Sequence, residues 1–321
     1  MFASLLGVLV AQERPAQSPQ QVKQEQEPHT AQQVQELKAL RKAKLARPVF
    51  AAAPWRTDYD KALAEAKQAN KPLLVYFTRS FTACPNSDAF EAGPLKEPGF
   101  AAFAANVVLY VHVTSRLDDD PQPTLMQSMG FRVWPALCFL DAQGKVLGKP
   151  ARTLDAMRSM AGERQALLDL RGKGDARSAA EQKQWFLAEL KVGGFLAADV
   201  PAHAAKVQLD AAETAWIAQR VVDLEVEELF AQFGELGRDK ASASMVAMVR
   251  AGRLPVGDMA GAFWLQVLQW ASREHDAELG QRAHDQLEAR YAKESGPGLT
   301  RQRASWQQLL DEAKSGKPKG K

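Results

Sequence analysis

The sequence predicts an α/β domain, with a central mixed sheet flanked by helices, followed by an all-α helical bundle or short solenoid. Three observations carry this. Residues 71–147 hold dense apolar runs of strand length, separated by Gly and Pro turns. From Ser178 onwards apolar residues recur at spacings of three and four, with no convincing strand. Between the two, Arg171-Gly172-Lys173-Gly174-Asp175 interrupts the pattern with glycine and charge.

The chain opens on an apolar run, Phe2 to Ala11, that fits the hydrophobic region of a secretory signal, with Ala11 as the cleavage position. The run is too short to span a bilayer, which takes ~20 apolar residues, and no basic residue precedes it. The expectation is a periplasmic or secreted protein, with membrane association at most through this N-terminus. Residues 12–54 form a tether and a basic helix. Gln12 to Thr30, rich in Gln, Pro, Ala and Glu, cannot bury a core. Gln32 to Arg47 then carries only Val34, Leu37, Leu40 and Leu45 as apolar positions, and is expected to be a solvated helix.

At 321 residues, 46% hydrophobic and 25% charged, the chain is long enough for one large or two ordinary domains. A net charge of +3 is too small and too dispersed to indicate nucleic acid. The two cysteines, Cys84 and Cys138, exclude a disulfide framework. Lys314 to Lys321, with four lysines among Gly, Ser and Pro, is expected to be a disordered basic tail.

The first domain is expected over residues 55–171. The segment Trp55 to Asn70 leads to the strand Lys71 to Thr78, apolar enough to be buried on both faces. A polar turn, Arg79 to Ala83, then brings Cys84 to the start of a helix, because Pro85 suits the first helical position. A cysteine there faces unpaired backbone N–H groups, which favour its thiolate. A second strand, Val107 to Val113, and a third, following Trp134-Pro135, complete the core before the turn at Gln143-Gly144.

These residues resemble the thioredoxin-like family, and Trp55 to Asn70 looks like the first helix of its bacterial branch. Phe77 to Ser80 followed by Cys84-Pro85-Asn86-Ser87 is similar to the family's segment with two cysteines three apart, and Ser87 stands where the second belongs. Trp134-Pro135, ahead of the apolar run Ala136 to Leu140, is similar to the family's proline, usually in a cis peptide. The resemblance covers about residues 55 to 170. It implies a monothiol CxxS site with Cys84 and Ser87 in the catalytic positions, and with Phe81, Thr82, Trp134 and Pro135 shaping the client groove. Three departures accompany it. Tyr76 stands where active members often have a buried acid. Ala83 replaces the aromatic residue before the first cysteine, with Phe81 and Thr82 upstream. The residue before the proline is the bulky Trp134.

Two functions follow from this resemblance. The first is an exported protein engaging thiols or disulfides of client proteins through Cys84, with an external thiol reductant resolving the adduct; thiol-disulfide exchange or isomerisation is its chemistry. The alternative is a non-catalytic interaction scaffold. A glutathione transferase also joins a thioredoxin-like half to a helical half, but the tether and the helix before the first strand argue against it.

Cys138 lies three residues past Pro135, so strand alternation turns it away from that side and into the core. Asp118-Asp119-Asp120 reads as a solvated loop. The histidines, at 29, 112, 203, 275 and 284, match no metal-ligand spacing. No cofactor or metal is expected.

The second domain is expected over residues 178–313. Helices are predicted over Ser178 to Lys191, Ala211 to Leu236, Asp258 to Arg273, Ala277 to Lys293 and Thr300 to Ala313. Trp216, Phe230, Phe263, Trp264 and Trp306 read as core, and no clean tetratricopeptide pattern recurs. Such an array offers a surface to a protein partner.

Overall fold

The computed structural model describes residues 29–120, 122–131 and 133–316. The expected secretory run, the tether up to Pro28 and the tail from Lys317 lie outside the described residues. The chain divides into two compact units, with the boundary between Ala188 and Glu189.

The first unit begins with α1 (Ala31–Leu45) and α2 (Pro48–Ala51). Thr30 caps α1 reciprocally: its hydroxyl accepts from the Gln33 N–H, and the Gln33 side chain accepts from the Thr30 N–H. β1 (Trp55–Arg56) and α3 (Tyr59–Ala69) follow, so the helix expected from Trp55 starts only at Tyr59, where Asp58 caps it, and Trp55 and Arg56 pair with β3 instead. Then come β2 (Leu73–Arg79), α4 (Pro85–Ala92), α5 (Phe100–Ala104) and β3 (Val108–Thr114), a parallel crossover. The unit continues through α6 (Leu125–Ser128), β4 (Ala136–Leu140), β5 (Val146–Gly148), α7 (Leu154–Gly172) and the start of α8 (Ala179–Lys191).

The five strands lie in the order β1-β3-β2-β4-β5. β2 is central, with Tyr76 opposite Val111 of parallel β3 and Leu137 of antiparallel β4. Leu73 to Thr78 are therefore all buried, each large apolar side chain contributing ~1.5–3 kcal/mol of burial. Alternation along the strand divides them between two faces. Leu73, Val75 and Phe77 pack with Cys138 of β4, Ala62 and Ala66 of α3, and Met126 of α6. On the other face Tyr76 meets the rings of Phe90 in α4 at 5.2 Å and Phe50 in α2 at 6.3 Å.

α1 is largely solvent-exposed, as its sparse apolar positions suggest, but two of its cations anchor it. Lys44 is only 5% exposed, and Arg41 pairs with Asp120 at 3.5 Å. These charged contacts carry no apolar period, so the apolar pattern gave no sign of them. Asp120 is likewise turned inward, accepting from the Ser115 N–H at 2.7 Å and from its hydroxyl; only part of the acidic triplet is a solvated loop.

The second unit is helical: α9 (Val200–Ala204), α10 (Ala211–Ala231), α11 (Phe233–Leu236), α12 (Arg238–Arg250), α13 (Ala260–Glu274), α14 (Ala277–Arg290) and α15 (Pro297–Ser315). α13 is its centre: Phe263, Trp264, Val267 and Leu268 join Met245, Leu287 and Trp306 in one buried cluster. Three details differ from the sequence reading. The helix expected from Ala211 to Leu236 breaks at Gln232 (φ −88, ψ 3), near Gly234 and Gly237, which weaken helix propagation; Phe233 then stacks on Phe230 at 5.9 Å. α12 was not anticipated, because its buried face mixes Ala241 and Ser242 with Met245 and Val249 and shows little apolar contrast. Trp216 is 40% exposed rather than core.

Candidate functional site

At the C-terminal end of β2 the chain turns through residues 80–83 into α4. Cys84 is the N-cap of that helix, with an extended backbone (φ −137, ψ 92) and Pro85 at the first helical position. Its carbonyl accepts from the Asp88 N–H at 2.9 Å, closing the first turn. The thiol points toward the segment before β4, with Sγ 3.8 Å from the Trp134 carbonyl oxygen. The Trp134–Pro135 peptide is cis, and Pro135 is buried. Residues fifty positions apart in sequence thus share one site.

Ser87 lies one turn into α4 and is fully buried. Its hydroxyl is beside that of Tyr76 but has no partner in hydrogen-bond geometry. Phe81 is half-buried and edge-on to Trp134, with ring centres 5.9 Å apart. Thr82 is exposed. Cys84 is 7% exposed, so its thiol offers little surface to a reacting disulfide. Cys138 lies in the other core layer, its Sγ 3.7 Å from the Met129 sulfur, and burial pushes its thiol up to about 12.

Sequence reasoning missed two groups of residues around this site. The first is a buried ionic cluster one turn beyond Ser87. Glu91, 3% exposed, accepts from the Tyr76 hydroxyl at 2.8 Å and pairs with Lys44 at 2.5 Å and Arg47 at 2.6 Å. Arg47 also holds Asp88 at 2.6 Å, and this hydrogen bond keeps the Asp88 carboxyl below its usual range. Burial first, then the Glu91 charge, drives the Tyr76 phenol well above its ordinary range, so it remains a donor. Tyr76 therefore does not leave this face of the sheet without an acid: α4 supplies a carboxyl group instead of the strand. The only local signal was spacing, since Ser87 and Glu91 are four apart and share a helix face.

The second group is cationic. The Arg79 guanidinium lies 5.5 Å from the Trp134 ring and 5.6 Å from that of Phe81, and donates to the Ala83 carbonyl at 2.9 Å. Arg116 lies 4.1 Å from the Phe81 ring. Among the described residues, no three His, Cys, Asp or Glu side chains are grouped to hold a metal ion, and no helix is long and apolar enough to cross a membrane.

A match to a known family agrees with the architecture of the first unit. A family model described as thioredoxin-like matches residues 54–142, the stretch that runs from β1 through β4 and contains both Cys84 and Pro135. That part of the chain is a thioredoxin-like domain; the helical unit lies outside the match. Among solved structures, one named DsbH Oxidoreductase is 22% identical over 34% of this chain and 85% of its own, with a TM-score of 0.31. No curated protein sequence matches the chain.

Proposed function

We propose that the protein engages the thiols or disulfides of client proteins through Cys84, as a monothiol site. The observation that supports this is the placement of one thiol at the start of α4, 3.8 Å from the carbonyl preceding the cis Pro135, with a hydroxyl at Ser87 where a second thiol would resolve the adduct. The Cys84 thiolate attacks one sulfur of a client disulfide. One sulfur–sulfur bond forms as another breaks, and the released client thiolate takes up a proton. Ser87, as an alcohol, does not attack the mixed disulfide. An external thiol completes the cycle, or the freed client thiol attacks again and isomerises the client. Ser87 and Pro135 belong to this site by position, and Phe81, Thr82 and Trp134 form the approach to it. Export, suggested by the apolar run at residues 2–11, is part of the same proposal, and fractionation of cells expressing the full chain checks it. The helical unit is the part available to a protein partner.

The test is mass spectrometry of the folded protein after exposure to a model peptide disulfide. Wild type and Cys138→Ala should retain one peptide on Cys84. Cys84→Ser should retain none, and Ser87→Cys should exchange the adduct for an internal disulfide. A second reading, a scaffold without chemistry, is favoured by the 7% exposure of Cys84. It is correct if no adduct forms in the native protein while Cys84 labels readily in denaturant.

A further inference from the structure

The two guanidinium groups beside Cys84 have an unusual setting. Arg116, Phe81, Trp134 and Arg79 form a continuous run of cations and rings, the two rings edge-on to each other, and Trp134 is the residue whose carbonyl meets the thiol. Arg79 also donates to Ala83, the neighbour of Cys84. Four other cations of this unit are matched by carboxylates: Lys44 and Arg47 pair with Glu91, Arg41 with Asp120 and Arg171 with Asp141, whereas Lys149 rests on the Phe131 ring on the far side of the sheet. Among the described residues, neither Arg79 nor Arg116 has a carboxylate within ion-pair distance. Arg79 Nε is buried without a hydrogen-bond partner.

Arg116 is held in place deliberately. Its backbone is left-handed, φ 62, a conformation in which a β-carbon crowds the following carbonyl and which non-glycine residues seldom adopt. The loop around it supplies the restraint. The His29 ring bonds to the Arg116 carbonyl at 3.0 Å, and Asp120 grips Ser115 while Arg41 grips Asp120. Strain maintained by surrounding contacts, next to a reactive group, points to function. What the strain achieves is a planar five-donor cation, carried on an aromatic face and still lacking an anion.

We infer that Arg79 and Arg116 select the client: the Cys84 site takes thiols and disulfides whose sulfur is flanked by carboxylates. The Arg116 guanidinium offers paired N–H donors to a carboxylate, Arg79 adds the donors left free by its bond to Ala83, and the rings beneath them restrict their rotation. This rests on the proposed chemistry of Cys84. Two sources present the same chemistry, an acidic segment next to a protein cysteine and a small acidic thiol compound.

The experiment compares matched peptide disulfides that differ only in flanking residues, two Asp, two Asn or two Lys, reacting with the full chain carrying Cys138→Ala. Glutathione disulfide serves as the small acidic probe. The rate of adduct formation on Cys84 should be about tenfold higher for the Asp peptide than for the Asn peptide at low salt, the factor expected of one charge-assisted contact. The Lys peptide should be slowest, and the Asp advantage should shrink as salt rises. Arg116→Gln and Arg79→Gln should each lower the Asp-to-Asn ratio, and the double variant should bring it to about one. Arg116→Gly removes the guanidinium while suiting the left-handed backbone, so a fall in the ratio there excludes misfolding as its cause. A faster reaction with glutathione disulfide than with the Asp peptide assigns the site to small acids, and the reverse assigns it to protein segments. An Asp-to-Asn ratio of one in the starting protein overturns the selectivity while leaving the Cys84 chemistry standing. So does an equal fall with every probe in the arginine variants, since the arginines would then act on the sulfur. Failure of every probe to react overturns both proposals.

Discussion

Replacing Glu91 should be among the most damaging single changes in the thioredoxin-like unit. The carboxylate is 3% exposed and accepts from Tyr76 at 2.8 Å while pairing with Lys44 and Arg47. Glu91→Ala leaves the Lys44 ammonium, 5% exposed, with only the half-exposed Asp88 at 3.9 Å. Breaking a buried pair from one side costs ~3–5 kcal/mol, because the remaining charge stays desolvated. The Tyr76 hydroxyl also loses its acceptor, worth ~1–3 kcal/mol when a buried donor is orphaned. The two terms share a partner and do not sum, so about 4 kcal/mol is expected. A favourable pair would lose stability when both partners go, whereas desolvation theory says otherwise. The double variant Glu91→Met, Lys44→Met should recover the share due to the stranded ammonium, since apolar groups of similar volume often substitute for a buried pair at little cost, while the Tyr76 hydroxyl stays without its acceptor. Urea unfolding of the full chain measures the loss, and hydrogen exchange of the β2 amides assigns it to this unit. A loss below about 1 kcal/mol for Glu91→Ala, or a double variant no more stable than the single, would refute the reasoning, showing that water reaches the cluster.

Two further outcomes follow from other parts of the molecule. Cys138 is neutral in the core, with its thiol raised from 9.0 to about 12 by burial. Its contribution is complete below pH 9 and is lost as pH rises toward that value, because only the unfolded chain gives up the proton. Stability should therefore fall by up to about 1.4 kcal/mol per pH unit above 9, and Cys138→Ala should flatten that slope relative to wild type; parallel slopes would contradict it. In the helical unit, a β-carbon at Gly280 would lie 2.9 Å from that of Ala313 and 3.6 Å from that of Ala271, so α14 lies close against α13 and α15. Gly280→Val should cost ~1–3 kcal/mol through overpacking, more than its gain in helix propensity, and Ala313→Gly should restore part of it. Thermal unfolding of the two variants and their combination decides the point.

Much of the sheet domain was legible in the sequence because its signals are local. The run Leu73 to Thr78 is apolar at every position except Thr78, as a strand paired on both sides requires. Pro85 directly after Cys84 marks a helix start whatever surrounds it. α10, α13 and α15 announced themselves through apolar spacing, and the core position of Cys138 through strand alternation.

Other features were settled by the tertiary structure, because they depend on distances between residues far apart in the chain. Nothing near Lys44 predicts its burial; a lysine in a polar helix becomes a core residue only because the crossover from β2 to β3 sets Glu91 opposite it. Arg116 looks like one more loop cation until His29, Arg41 and Asp120 fix its backbone and carry its guanidinium onto Phe81. The Gln232 break and the weakly patterned α12 follow the same rule, since packing around α13 decides which marginal helix persists. The sequence by itself determined the strands, the cysteine at a helix start and the proline that meets it, each a preference of a few adjacent residues. The charges around that cysteine were decided by the fold, because electrostatic partnership depends on separation in space and carries no period along the chain.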